Sequence, residues 1–137
     1  MEPMKSSEST PPARARQFVA VVAILFGLAS VGAGGSVLAG RDPGYLVYRP
    51  LVVFNTLMGV LYIGAGVLAW RRAHTDRMAA AGIAGVNLLV LAYIVFLYRS
   101  GGAAAIDSVR AMGLRTGVWL LVLLVLVWAG RGPSDTA

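Results

Sequence analysis

The chain has no cysteine and a single histidine among its 137 residues. The first absence removes disulfides, thiolate metal sites and quinone-coupled thiol redox chemistry. The second leaves His74 alone in a charged stretch, so two-imidazole haem ligation inside a helix bundle and any site needing several imidazoles are excluded. Acidic residues are also scarce, six Asp+Glu against twelve Lys+Arg, and all six fall in expected tails or loops. A proton-coupled antiporter of this size needs a carboxylate within a span, which makes that reading weak. No Gly-rich phosphate loop follows a strand and no Ser/His/Asp set can be assembled, so no catalytic residue is assigned and the chain is not read as an enzyme.

What is present is apolar. Hydrophobic residues make up 58% of the chain and charged residues 13%, with a mean hydropathy of +0.74, far too apolar for a water-soluble domain of this length. The net charge of +6 is compatible with nucleic acid or an anionic membrane surface. Because the basic residues flank apolar runs, the membrane reading wins and nucleic acid is not expected as a partner.

Four runs have the length to cross a bilayer. Residues 1–15 are rich in Ser, Pro and Glu and are expected to form a disordered tail. The first span, about 18–39, is 22 residues without a charge, longer than a secretory h-region of roughly 7–15. Ser36 to Ala39 faintly resembles a cleavage site, but cleavage there would cost one of four spans. The others are expected at about 51–70, 78–98 and 111–130, with a C-terminal tail over 132–137. Arg41-Asp42-Pro43-Gly44 punctuates the first connection, and Tyr45 and Tyr48 suit an interfacial aromatic belt. Residues 103–110 are expected to form a helical lead-in near the interface. The fold class is therefore all-α, a polytopic four-helix transmembrane bundle over 16–131.

Small residues mark the seams. Ala20, Ala23, Gly27, Ser30 and Gly34 recur at helical spacing in the first span, and Asn55, Gly59, Tyr62, Gly66 and Ala69 do so in the second. Both stripes predict faces turned to other helices, because close backbone approach drives association where lipid offers no hydrophobic drive. In the third span the small positions are Ala81, Gly85 and Ala92, with Asn87 near the middle.

The last span is the only one that takes formal charge with it. From Thr116 to Gly130 there are 15 uncharged residues, about 22 Å of helix against a hydrocarbon core of ~30 Å. Starting the span at Ala111 supplies the missing length and draws Arg115 roughly 6 Å below its start. An ionisable group inside a span is a candidate functional residue. Arg115 and Asn55 are each the fifth residue of their spans, hence at one depth. Thr116, Ser36, Tyr93 and Tyr98 complete a candidate polar layer suited to an anionic or carbonyl-bearing amphiphile such as a quinone or a lipid head group. No metal site is assigned, and no cofactor beyond a quinone is suggested.

Helical phase complicates this picture. Gly113 and Gly117 form a GxxxG pair, and Arg115 projects opposite its midpoint on the face shared with Trp119. Glycines packed inward would turn Arg115 and Trp119 to lipid, where the arginine snorkels to the head groups and stacks on the indole. Arg115 turned inward onto Asn55, or into a subunit interface, are the alternatives.

Two stretches, Phe54-Asn55-Thr56-Leu57-Met58-Gly59 with Tyr62 and Gly66, and Ala111-Met112-Gly113-Leu114-Arg115-Thr116 with Trp119, resemble a group of small bacterial four-span inner-membrane proteins of undetermined function. In size and span count the chain is also loosely similar to the DoxX-like family, which implies a lean toward quinone or respiratory partners. Positive-inside counting gives 7 Lys and Arg on the side of both termini and 5 on the other, which predicts both termini in the cytoplasm. The leading expectation is a structural or accessory protein of the bacterial inner membrane that binds a partner membrane protein or a lipid, alone or as a homo-oligomer. A DoxX-like quinone-associated subunit is the alternative, and a small-solute carrier or channel the third reading.

Overall fold

The computed structural model describes residues 11–71, 74–102 and 104–131. Residues 1–10 and 132–137, to which most of the two expected tails belong, lie outside it. The described residues form four helices and no strand: α1 (Pro11–Leu38), α2 (Arg49–Trp70), α3 (Asp76–Arg99) and α4 (Ile106–Gly130). All four are long and apolar enough to cross a membrane, so the chain is an all-α, multi-pass membrane bundle.

The boundaries differ from the sequence expectation where local chemistry permits a longer helix. Helix α1 begins at Pro11, so residues 11–15 of the expected tail are helical. Proline is tolerated in a first turn, where its missing N–H has no intrahelical partner to lose. Helix α2 likewise carries Pro50 in its first turn. The lead-in before the fourth span is one helix with it, 25 residues from Ile106 to Gly130, or about 37 Å. In the first connection the backbone N–H of Gly44 donates to Asp42 Oδ1 at 2.9 Å. Gly44 has a φ of +82° there, a conformation open to glycine without strain.

Helices α1 and α2 form the tightest pair and α3 and α4 the next, while α2 and α3 meet only sparsely. A side-chain carbon added to Gly27 would lie 2.6 Å from the Gly59 carbonyl oxygen, one on Gly59 would lie 2.9 Å from the Gly27 oxygen, and one on Gly66 would lie 2.9 Å from that of Ala20. Positions advance along α1 as they retreat along α2, so the pair is antiparallel. Both small-residue stripes read from the sequence meet here, backbone against backbone, as packing without a hydrophobic drive requires. On α3 the buried face holds Ala80, Ile83, Ala84, Asn87 and Ile94, whereas Ala81, Gly85 and Ala92 are exposed.

The two ends differ. Trp70 and Trp128 are exposed at the end where α2 and α4 finish, and Tyr45 and Tyr98 at the other, the placement of interfacial aromatic belts. At the tryptophan end Asp76, in the first turn of α3, is 2% exposed and lies 3.4 Å from Arg16 of α1. The expectation that every acid sits in a tail or loop is corrected at this residue and at Asp107, which lies in the first turn of α4. A carboxylate at a helix N-terminus is favoured by the macrodipole, and the burial of Asp76 is tolerated because a guanidinium is at hand.

Candidate functional site

Helix α4 turns the stripe Ser108, Met112, Thr116, Trp119, Val122 and Leu126 inward, with steps of four, four, three, three and four that hold one helical face. Gly113 and Gly117 face away from the bundle, and a side-chain carbon on either would meet nothing within 4 Å. The orientation with inward glycines is therefore overturned. The physical reason is bulk and polarity: α1 and α2 already supply the close glycine seam, whereas Trp119 needs a large apolar contact. That indole is 1% exposed, with its ring centroid 4.9 Å from that of Tyr62 on α2.

Arg115, one turn before Trp119, follows it into the bundle. Its Nη1 donates to Ser30 Oγ of α1 at 2.6 Å, and its guanidinium carbon lies 5.6 Å from the centre of the Phe26 ring, within cation–π reach. The guanidinium also interacts electrostatically with the Tyr62 hydroxyl. Its Nε is buried without a hydrogen-bond partner. No carboxylate lies within ion-pairing distance of it among the described residues.

The inward alternative had named Asn55 as the partner, and depth explains why Ser30 takes that place. Arg115 is about 13.5 Å along α4 from Ile106, and Ser30 about 12 Å back from Leu38, while Asn55 is about 9 Å along α2 from Arg49. Ser30 is the closer match. Asn55 nevertheless shares a cavity with Arg115, a space of about 100 Å³ walled by Ala33, Gly34 and Val37 of α1, the Tyr45–Tyr48 segment, Leu51 and Asn55 of α2, and Ser108 and Ala111 of α4. Asn55 Oδ1 is buried there without a partner.

The rest of the expected layer does not assemble. Thr116 is 3% exposed and donates to the Met112 carbonyl one turn back, and Ser36 likewise donates to Ala33. Neither lines the cavity. Tyr93 is half exposed, its hydroxyl 3.5 Å from that of Tyr48, and Tyr98 points outward. The contact with Tyr93, with a smaller contribution from burial, holds the Tyr48 phenol above its ordinary pKa, so this wall of the cavity is neutral.

Sequence reasoning did not assign the second polar group of the bundle. Tyr62 of α2, fully buried, donates to Asn87 Oδ1 of α3 at 3.0 Å, and Asn87 is itself 0% exposed. Asn87 Nδ2 and Trp119 Nε1 are buried without partners. Both Tyr62 and Asn87 stand out in the sequence as polar atoms at mid-span; the missing signal was pairwise, that matched depth on antiparallel neighbours makes them partners.

Arg115 and Asn55, each with a buried side-chain atom that has no partner, thus line one small cavity together with residues of the tyrosine-lined connection. No family model, no curated protein and no solved structure matches this chain.

Proposed function

We propose that this protein is an accessory membrane protein that seats the polar head of an amphiphile in the Arg115–Asn55 cavity, leaving the apolar tail in the bilayer. The observation that carries this reading is that Arg115 and Asn55, each with a buried side-chain atom that has no partner, both line one space. A charged group at membrane depth is costly unless it has a use or a partner, and Ser30 satisfies only one arm of this one. A space of about 100 Å³ is roomy enough for water-sized polar groups, which suits a carbonyl, a carboxylate or a hydroxylated head. We place the protein in the bacterial inner membrane with both termini cytoplasmic, on the basic-residue count and the resemblance given above.

A quinone fits the same reading as a narrower case. A ring carbonyl accepts from Arg115 at the edge of the cavity. The lean toward DoxX-like, quinone-linked partners is a proposal on this ground.

Native mass spectrometry of protein extracted from its membrane in mild detergent tests the reading. A co-purifying amphiphile is expected on the wild-type chain, lost in Arg115→Ala, weakened in Asn55→Leu and kept in Arg110→Ala, whose side chain is exposed outside the cavity. Absence of any adduct on the wild type, or an adduct indifferent to Arg115→Ala, overturns it. A quinone among the released ligands decides for the narrower case.

A further inference from the structure

At the opposite end of the bundle α2 and α3 part. Beyond the Tyr62–Asn87 hydrogen bond they leave an open groove of about 670 Å³ floored by Gly64, Ala65 and Gly82 and edged by Leu61, Leu68 and Met78. A side-chain carbon on Gly64 or Gly82 would meet nothing within 4 Å, so these glycines do not serve close helix packing; they make room. The volume lies within the usual range for sites that enclose small apolar ligands.

Charge at the mouth of this groove selects its occupant. Leu61, Gly64, Leu68 and Arg71 follow one another at steps of three, four and three, a single face of α2, and Arg71 keeps the helical conformation as the α2 cap, with φ −78° and ψ −1°. The groove stripe thus ends in an exposed guanidinium. Across from it the first turn of α3 carries the Asp76 carboxylate, which already answers the positive end of that helix, so Arg71 is the group left to select charge. Arg77 does not compete for this position, since its guanidinium lies against Gly130 at the end of α4.

We propose that the α2–α3 groove holds an acyl chain of an anionic phospholipid whose phosphate is bound by Arg71. A second copy of this chain fits less well. Two copies related by a two-fold axis along the membrane normal would set Arg71 near its own equivalent, like charge against like, at the rim of a self-complementary contact. A phospholipid answers the apolar trough and the basic mouth together, and the combination of a basic residue at a helix end with an inter-helix trough is the chemistry that retains anionic lipids. The site is separate from the Arg115 cavity, and neither depends on the other.

The test uses the full chain in detergent with added phosphatidylglycerol or phosphatidylcholine, read by native mass spectrometry. Wild type is expected to retain phosphatidylglycerol about fivefold better than phosphatidylcholine, the effect of roughly one basic group at a membrane surface. Arg71→Gln should bring the two lipids level. Gly82→Leu should lose both, because the leucine fills the trough, and Arg115→Ala should change neither. Circular dichroism reports whether Gly82→Leu folds; if it does not, Gly64→Leu serves in its place and Arg71→Gln stands alone as a readout of head-group selectivity. Equal retention of the two lipids by the wild type, unaltered binding in the folded leucine variant, or a dimer that this variant dissociates while no lipid is held, overturns the proposal.

Discussion

Arg115 of α4 and Ser30 of α1, 85 positions apart, are joined by a 2.6 Å hydrogen bond inside the bundle. This bond ties α4 to the α1–α2 pair at a residue that also lines the cavity. In Ser30→Ala the Nη1 donor loses its acceptor in a half-buried setting, with an expected loss of about 1–3 kcal/mol. Arg115→Met removes the need along with the donor, so the double variant should be less destabilised than the sum of the single ones. Denaturant unfolding in micelles, analysed as a double-mutant cycle, should return a coupling of about 0.5–3 kcal/mol. Strict additivity would show that the two side chains act independently.

Glycines divide into two classes with opposite expected behaviour. In Gly27→Ala or Gly59→Ala the new carbon would lie 2.6 Å or 2.9 Å from a backbone oxygen of the facing helix, and backbone cannot step aside as a flexible side chain can. A loss of about 1–3 kcal/mol is expected from this overpacking, and more for leucine. Gly113→Ala and Gly117→Ala meet open space and should gain about 0.5–1 kcal/mol of helix stability instead. Thermal unfolding of the four variants separates the classes, and a loss at Gly113 or Gly117 equal to that at Gly27 would mean the GxxxG face packs against protein.

This contrast also marks what was legible in the sequence. Number of helices, their class and the α1–α2 seam follow from apolar run length and small-residue spacing, because each depends on one helix at a time. Gly113 and Gly117 carry the same spacing as Ala23 and Gly27, yet face outward. Spacing states that a close approach is feasible, whereas the choice of buried face is settled by competition, here with the Trp119 indole and the Ser30 acceptor. Arg115 was legible as a functional candidate and Asn55 as its neighbour in depth. Its bonded partner was not, because Ser30 reads as one more small residue of the seam. Ser36, Tyr93 and Tyr98 matched in depth but not in angular position, a coordinate that single-helix periodicity leaves unfixed between helices.

Arg16 and Asp76 fasten α1 to α3 at the tryptophan end, 3.4 Å apart, close enough for ion pairing though not aligned as a hydrogen bond. The two side chains are 15% and 2% exposed respectively, so the partners are unequal. Arg16→Ala strands a carboxylate away from water and should approach the ~3–5 kcal/mol typical of breaking a buried pair. Asp76→Ala leaves an arginine long enough to snorkel to the interface, and a smaller loss is expected. Chemical unfolding of both variants checks the order, and a larger loss in Asp76→Ala would show that the carboxylate is the better hydrated of the two.

Tyr62 touches every other helix: its ring centroid lies 5.8 Å from that of Phe26 on α1 and 4.9 Å from that of Trp119 on α4, and its hydroxyl reaches Asn87 on α3. The ring and the hydroxyl hold different neighbours and separate by substitution. Tyr62→Phe keeps both ring contacts and leaves Asn87 Oδ1 unpaired, so a loss of about 0.6–2 kcal/mol is expected, the range for interhelical hydrogen bonds in membranes. Adding Asn87→Leu removes the unpaired oxygen together with an Nδ2 that has no partner even in the wild type, and the double variant should recover most of that loss. Tyr62→Leu forfeits the ring contacts as well, about 0.5–1.5 kcal/mol each, and should shift the emission of Trp119, which the phenylalanine variant should not. Recovery in the double variant with no spectral shift would locate the hydroxyl's contribution in the sparse α2–α3 contact. A loss that persists undiminished in Tyr62→Phe/Asn87→Leu would place it instead with Arg115, whose guanidinium also acts on that oxygen.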